Sequence, residues 1–388
     1  MNYIGSKLSL LPEIRGMLVE QGLQGTFCDL FSGSTIVAQM AKEMGFRVIT
    51  NDLQTYSLVF QRAFIENNGY PSFHRLLKAI PEIKRREIKV EGRTLWVDGA
   101  PQKLQTFGWG QTPDFETGHA LLKVLAFLDR LPPQEGRFFH AYCEGGEAGR
   151  SYFSRENGQR CEAIRGTLEH WLSKGWINGR EHAILLASLI ESMDQVANTA
   201  SIYGAFLKRL KTSARTPLSL RFPLLQDGDK SHRILQGDAN RVIRDLAKGG
   251  WLDVLYLDPP YNRRQYHANY HILETLARWD LERFEPSGKT GLRPADQRSS
   301  FCLKREATRA FEDLIERAKF RHILVSYNNE GLIPEEELIG ILEKKAKGGK
   351  TVFRKIPYRR FRADADSENR NYRGNEVEEF LFYVEVNG

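Results

Sequence analysis

The stretch Trp251-Leu-Asp-Val-Leu-Tyr-Leu-Asp258-Pro259-Pro260-Tyr261-Asn262 decides the fold. Its first half is apolar apart from Asp253, the pattern of a buried strand in a parallel sheet. The strand must stop at Asp258, because two prolines remove backbone donors and the residue ahead of a proline avoids the helical region. A carboxylate, a rigid proline pair and an aromatic ring are thus delivered together at the carboxyl end of a strand. That is the edge at which open α/β sheets place their ligands. Read alone, the same residues also suit a strand followed by an ordinary Pro-Pro turn.

Working outward, the neighbouring segments keep a strand–helix rhythm. Upstream, Arg233-Ile-Leu-Gln-Gly237-Asp238 reads as a strand ending in an acid, with a helix to about residue 248. Downstream come a helix over residues 266–279, a loop over 288–299, and the strand His322-Ile-Leu-Val-Ser326-Tyr327-Asn328. A helix near 334–347 and a last strand, Glu379-Phe-Leu-Phe-Tyr-Val384, complete this half. Near the start, Phe27-Cys28-Asp29-Leu30-Phe31-Ser32-Gly33 runs from a short strand into a small-residue turn, with a helix over 35–44. Strand, tight loop and helix N-terminus together cradle nucleotide-like ligands. The loop is not G-x-G-x-x-G and no G-K-[ST] follows Gly33, so dinucleotide and P-loop readings fit poorly. A second strand, Arg47-Val-Ile-Thr-Asn51-Asp52, ends in an acid that suits either ribose hydroxyls or a helix N-cap. Ahead of all this, Asn2-Tyr3-Ile-Gly5-Ser-Lys7 offers a close backbone, a ring face and a charge, or a plain loop before an amphipathic segment over 8–21.

Residues 70–215 break the rhythm. Lys84-Arg85-Arg86 precedes a hairpin over 88–97, a polar loop spans 99–118, and helical periodicity returns over 118–130. Then Gly149-Arg150-Ser-Tyr152-Phe153-Ser-Arg155-Glu-Asn157-Gly-Gln-Arg160 interleaves arginines with aromatics, suited to gripping phosphates and stacking bases, or simply to a solvated loop. Helices are expected over 180–197 and 201–211. The organisation expected is a catalytic domain in two parts, 1–69 and 216–388, with an insert at 70–215.

Composition sets the outer bounds. At 388 residues, 41% hydrophobic and 27% charged, the chain describes a globular protein with one large core and a second, smaller domain. It has no apolar run of the roughly 20 residues a membrane-spanning helix needs and no secretory h-region, which places it in the cytoplasm. Four scattered cysteines, with no CxxC, argue against structural zinc and a disulfide framework. A net charge of +7 favours a polyanionic partner. Residues 350–373 concentrate it, with eight basic residues, Arg359 and Arg360 among them, against three acidic ones.

Five elements stand in one order: 2–7, 27–33, Asn51-Asp52, Gly237-Asp238 and Asp258-Pro-Pro-Tyr261. That set resembles the D12 class of DNA adenine-N6 methyltransferases, the Dam-like group that includes many restriction–modification methylases. The resemblance extends to Asp258-Pro-Pro-Tyr-Asn-Arg263-Arg264-Gln-Tyr266 and to Ser326-Tyr-Asn-Asn-Glu-Gly331. It implies a Rossmann-like α/β sheet that binds S-adenosylmethionine, with an inserted, mainly helical DNA-recognition domain. It further implies that Tyr3 and Lys7 lie against the cofactor and that Phe27, Asp29, Phe31 and Gly33 form the loop beneath its methionine moiety. Asp52 should take the ribose hydroxyls and Asp238 should lie near the cofactor's adenine, with Asp258 also at the cofactor. Double-stranded DNA is the expected partner, contacted by Lys84, Arg85, Arg150, Tyr152, Arg155, Arg263, Arg264, Arg359 and Arg360. A cognate restriction endonuclease is allowed without direct contact, and the oligomeric state is open. Relatives often carry glycine where Thr35 stands, so the loop here departs from theirs.

The chemistry follows from the residues. An adenine amine is a poor nucleophile because its lone pair is delocalised into the ring. Asp258 can accept one amine hydrogen and the Pro259 carbonyl another, both pre-oriented by Pro259 and Pro260. Tyr261 offers a stacking face for a base taken out of the duplex, worth roughly 1–3 kcal/mol. No metal is needed. Cytosine C5 methylation requires a nucleophilic cysteine, normally following proline, and no cysteine here follows proline. Cytosine N4 presents the same geometry, but its enzymes more often have serine at the Asp258 position. The rival readings are therefore an amine methyltransferase acting on cytosine or RNA, and a non-catalytic nucleic-acid-binding module; the intact Asp258–Tyr261 run argues against the second.

Overall fold

In the computed structural model the described residues are 7–110, 115–359 and 376–387. Their strands, in chain order, are β1 (Thr26–Asp29), β2 (Arg47–Asp52), β3 (Ile88–Glu91), β4 (Thr94–Val97), β5 (Ala100–Lys103), β6 (Thr106–Phe107), β7 (Phe222–Pro223), β8 (Arg233–Gln236), β9 (Leu252–Leu257), β10 (Phe320–Asn328), β11 (Val352–Arg359) and β12 (Glu376–Glu385). The chain divides into two compact units. One holds Ser6–Leu58, His232–Asn269 and Ala295–Gly388; the other holds Val59–Ser231 and Tyr270–Pro294.

The first unit is built on a seven-stranded mixed sheet in the order β11-β12-β10-β9-β1-β2-β8. The apolar run that opens the sequence argument is β9, parallel to β1 on one side and to β10 on the other. Its one polar residue has a reason to be there. Asp253 accepts the Thr26 backbone N–H at 2.8 Å, fixing the start of β1. Gly25, at φ +91°, approaches that carboxylate so closely that a Cβ would lie 2.2 Å from it.

From β1 the chain steps outward through β2 to β8, then returns to place β9 on the opposite side of β1. The direction reverses between β1 and β9, and such a switch point leaves a crevice at the carboxyl ends of the strands. Leu255, Leu257 and Cys28 pack on one face with Ile243, Phe311, Leu314, Leu338 and Leu342 from helices Ala239–Ala247, Ala307–Arg317 and Glu335–Lys345. On the other face Phe27 lies between Phe46 and Tyr256, at centroid distances of 5.6 and 6.0 Å. Fully burying one such side chain stabilises by roughly 1.5–3 kcal/mol. This α/β architecture fits a methyltransferase fold.

The second unit carries helices His119–Leu128, Arg137–Tyr142, Arg155–Ser173 and Gly179–Gln195, with a three-stranded antiparallel sheet, β3-β4-β5, and a short β6-β7 pair. The last of those helices starts on a capping box, Asn178 with Glu181. The unit's continuous part, Val59–Ser231, is longer than the insert expected at 70–215, and Tyr270–Pro294 clusters with it. Three further expectations change. The hairpin acquires a third strand, β5, inside what reads as a loop. Residues 201–211 form turns instead of a helix, because buried Asn198 gathers that segment around itself. Its amide donates to the Ser151 and Leu207 carbonyls and its oxygen accepts the Lys211 N–H. The expected helix over 266–279 is also broken, into Tyr266–Asn269 and His271–Arg278. All four cysteines are free and buried, and among the described residues no helix is long and apolar enough to cross a membrane.

Candidate active site

Three acids arrive at the carboxyl ends of three adjacent strands. Asp29 closes β1, Asp52 closes β2 and Asp258 follows β9. Asp29 is buried, and its Oδ1 has no hydrogen-bond partner among the described residues. Burial, reinforced by Asp258 and Asp52, pushes its carboxyl well above the ordinary range. Asp52 organises the loop after β1: its Oδ2 accepts the Gly33 N–H at 2.8 Å and its Oδ1 the Gln54 N–H at 2.9 Å. Buried Asn51 ties the loops together, donating to the carbonyls of Leu30 and Gly237, both at 3.1 Å.

The loop is tighter than its sequence suggests. Gly33 has φ 47°, which glycine tolerates, but Thr35, fully buried, has φ 64°. A β-branched residue in the left-handed region is strained. Hydrogen bonds hold it: the Thr35 hydroxyl donates to the Ser34 carbonyl at 2.7 Å and accepts from the Gln39 amide at 2.9 Å.

Asp258 is half-buried and forms an ion pair with Lys7, Nζ to Oδ1 at 3.2 Å. Lys7 is itself buried and makes a second ion pair with Glu379 on β12, at 3.1 Å. Burial alone would push the Lys7 ammonium down, but Asp258 and Glu379 outweigh it and hold the pKa above its usual value. Burial pushes the Asp258 carboxyl up to about 7; Lys7 pulls it down and Glu379 pushes it up. Tyr261 follows the proline pair with its ring 5.6 Å from Lys7 Nζ and edge-on to Tyr327 at 6.4 Å. Its carbonyl accepts the Leu332 N–H, and the Tyr327 hydroxyl accepts the Ile333 N–H at 3.2 Å. The Ser326–Gly331 motif therefore buttresses Tyr261 from the end of β10.

Some residues singled out in the sequence lie elsewhere. Phe27 is buried in the sheet's core, so it supports β1 instead of lining an open loop. Phe31 is half-buried against Phe301 at 5.0 Å. Asp238 is exposed and caps helix Ala239–Ala247, accepting the Arg241 N–H at 3.1 Å. Tyr3, Arg360 and the Arg359 side chain fall outside the described residues. Arg263 and Arg264 are exposed beside the site, and Lys84 and Arg85 are exposed in the second unit.

Arg150 and Tyr152, expected at the DNA, are engaged within the protein. Arg150 is buried, its guanidinium donating to the carbonyls of Ala141, Pro286, Gly288 and Lys289. Tyr152 is fully buried, and its hydroxyl donates towards the Tyr203 and Thr290 carbonyls. Their spacing suits phosphate binding, but long-range hydrogen bonds use them to tie loops together. Arg155 stays exposed, paired with Glu135 at 2.9 Å, and borders a cleft of about 510 Å³ with Lys208, Arg209 and Arg215. Those three basic residues and Glu379 are what the sequence reading missed. The run Lys208-Arg-Leu-Lys-Thr-Ser-Ala-Arg215 carried a charge signal, whereas Glu379 only heads an apolar strand.

The arrangement suits a cationic ligand and an amine: acids ring the switch point, and Lys7 is already paired. The family described as D12 class N6 adenine-specific DNA methyltransferase matches residues 3–341. Type II methyltransferase M.NlaIII of Neisseria lactamica is 39% identical over 389 residues, covering 99% of both chains. Type II methyltransferase M.FokI of Planomicrobium okeanokoites is 36% identical over 390 residues, covering 99% of this chain and 52% of its own length. Modification methylase StsI of Streptococcus sanguinis is 32% identical over 393 residues, with 99% and 52% covered. No solved structure gives a significant match. The chain belongs to the D12 class of N6 adenine-specific DNA methyltransferases.

Proposed function

We propose that the chain methylates the N6 amine of an adenine extruded from duplex DNA, using S-adenosylmethionine, with Asp258, the Pro259 carbonyl and Tyr261 holding the base. The observation that carries this reading is the half-buried Asp258 carboxylate at the switch point, with Lys7 behind it and Tyr261 braced beside it. The cofactor, when bound, supplies a methyl group on a cationic sulfonium. The donor set fits such a ligand, since Asp29 brings a buried oxygen without a hydrogen-bond partner among the described residues and the Asp52 carboxylate stands at the end of the adjacent strand, where ribose hydroxyls would lie.

Asp258 accepts one amine hydrogen and the Pro259 carbonyl the other, which turns the nitrogen lone pair away from the ring. With that methyl donor bound, the nitrogen would gain its bond to carbon as the donor's S–C bond is lost, and would release one proton towards Asp258. Extruding the base costs a few kcal/mol, which stacking on Tyr261 and cationic contacts to phosphate offset. In the second unit the cleft bordered by Arg155, Lys208, Arg209 and Arg215 is suited to backbone phosphates, a recognition role for the unit that holds most of the expected insert. A modification role alongside a cognate endonuclease is consistent with the names of the relatives.

Expression in a host lacking DNA methylation, followed by sequencing for modified bases, tests the reading. N6-methyladenine in one sequence context is expected. N4-methylcytosine, or unmodified DNA from a folded enzyme, would contradict it.

A further inference from the structure

We propose that Glu379 is a positioning residue for the reaction, holding Lys7 in place so that Asp258 remains a strong acceptor for the amine hydrogens. The proposal rests on the reading of Asp258 as that acceptor. The geometry behind it is a three-charge cluster in which buried Lys7 and Glu379, from the two ends of the described chain, meet at the half-buried Asp258. Lys7 Nζ lies 3.1 Å from Glu379 Oε2 and 3.2 Å from Asp258 Oδ1, and Lys7 and Glu379 are 3% and 7% exposed. The topology explains how Glu379 arrives. β12 runs antiparallel to β10, with Glu379 opposite Asn328, so its amino-terminal half reaches the edge where the parallel strands end.

A lysine has a long, flexible stem and donates as a point charge. Paired with Asp258 alone, it would centre on that carboxylate and neutralise it. Held also by Glu379, one ammonium is shared between two carboxylates, and the cluster keeps a net negative charge. A weakened pairing leaves Asp258 oxygens able to accept from the substrate amine, while the shared contact fixes Lys7 against rotation. The charge at Glu379 acts in the same direction, opposing proton loss from Asp258. The other titratable groups facing this cluster are Asp29 at the end of β1, Tyr256 on β9 and Tyr261 after it, with Asp52 behind Asp29.

The test is the pH dependence of kcat/KM for methylation of duplex DNA. Glu379→Gln removes the charge and keeps the shape. Its acid limb should move to lower pH by about one unit, the size an adjoining charge commonly imposes, and its maximal kcat should fall. Glu379→Asp, whose carboxylate is withdrawn by one methylene, should fall in between. Lys7→Gln should move the limb the opposite way, a pairing of signs that loss of stability alone does not produce. An unmoved acid limb in whichever Glu379 variant folds would overturn the proposal. If Asp258→Ala is inactive in the same assay, the failure is that of Glu379 alone. If Asp258→Ala is active, the reading of Asp258 fails and the proposal falls with it.

Discussion

Asp258 has an unusual proton affinity for an aspartate, and that has a consequence for rate. Burial raises its pKa to about 7, against a downward pull from Lys7 and an upward push from Glu379. In the proposed reaction only the carboxylate accepts the amine hydrogens, so activity requires the deprotonated form. Activity should therefore fall as pH drops through about 7, and kcat/KM for the free enzyme reports that group. A limb near the ordinary carboxylate value, about 4, would contradict the role assigned to its surroundings. Asp52 has a different task. It bonds the Gly33 and Gln54 N–H groups, so Asp52→Ala should loosen the loop and weaken cofactor binding roughly 10- to 100-fold, from the 1.5–3 kcal/mol typical of hydrogen bonds to charged groups. Calorimetry on the free enzyme measures it, and an unchanged dissociation constant would leave Asp52 a loop anchor only. Thr35 stores strain at φ 64°. Thr35→Ala and Thr35→Gly both lose the hydroxyl, but only glycine relaxes the backbone, so the glycine variant should be the more stable by about 1 kcal/mol in denaturant titration.

At the scale of elements, the site depends on what stands behind it. Tyr261 leans on Tyr327, and Gly331 leaves room for that ring: a Cβ at Gly331 would lie 2.0 Å from Tyr327 Cε1. Gly331→Ala must displace Tyr327, and should destabilise by about 1–3 kcal/mol and lower methyl transfer along with it. Equal stability in a thermal melt would show that the ring has room to move. Much of this layer was legible in advance. The apolar run before Asp258 could only be a buried strand, and the acids after β1, β2 and β8 marked strand ends by position alone. What could not be read was side-chain orientation. Phe27 packs inside the sheet's core between Phe46 and Tyr256, and Asp238 turns back to cap its own helix. The left-handed Thr35 was equally hidden, since the sequence offers a residue that rarely takes that backbone.

For the whole molecule the decisive quantity is charge. A net +7 predicts a polyanion as partner but not where it lies. Interleaved arginine and tyrosine pointed at Arg150 and Tyr152, yet long-range contacts bury both, with partners up to 139 residues away. The exposed alternatives are Arg155, Lys208, Arg209 and Arg215 around one cleft. Replacing Lys208, Arg209 and Arg215 with glutamine should lower DNA affinity and reduce the slope of log affinity against log salt by up to about three, leaving cofactor binding intact. An unchanged slope would move the phosphate contacts elsewhere. Glu379 escaped the sequence reading for a similar reason: an antiparallel strand brings it to the site across 372 residues.

The proposed hold of Asp258 on the substrate amine is checked by transfer of labelled methyl to duplex DNA by Asp258→Ala, with cofactor affinity measured on the same preparation. The rate should fall by at least about 100-fold, the scale of losing one oriented polar group at a reacting centre, while the cofactor still binds. Wild-type transfer by a folded Asp258→Ala enzyme would contradict the account.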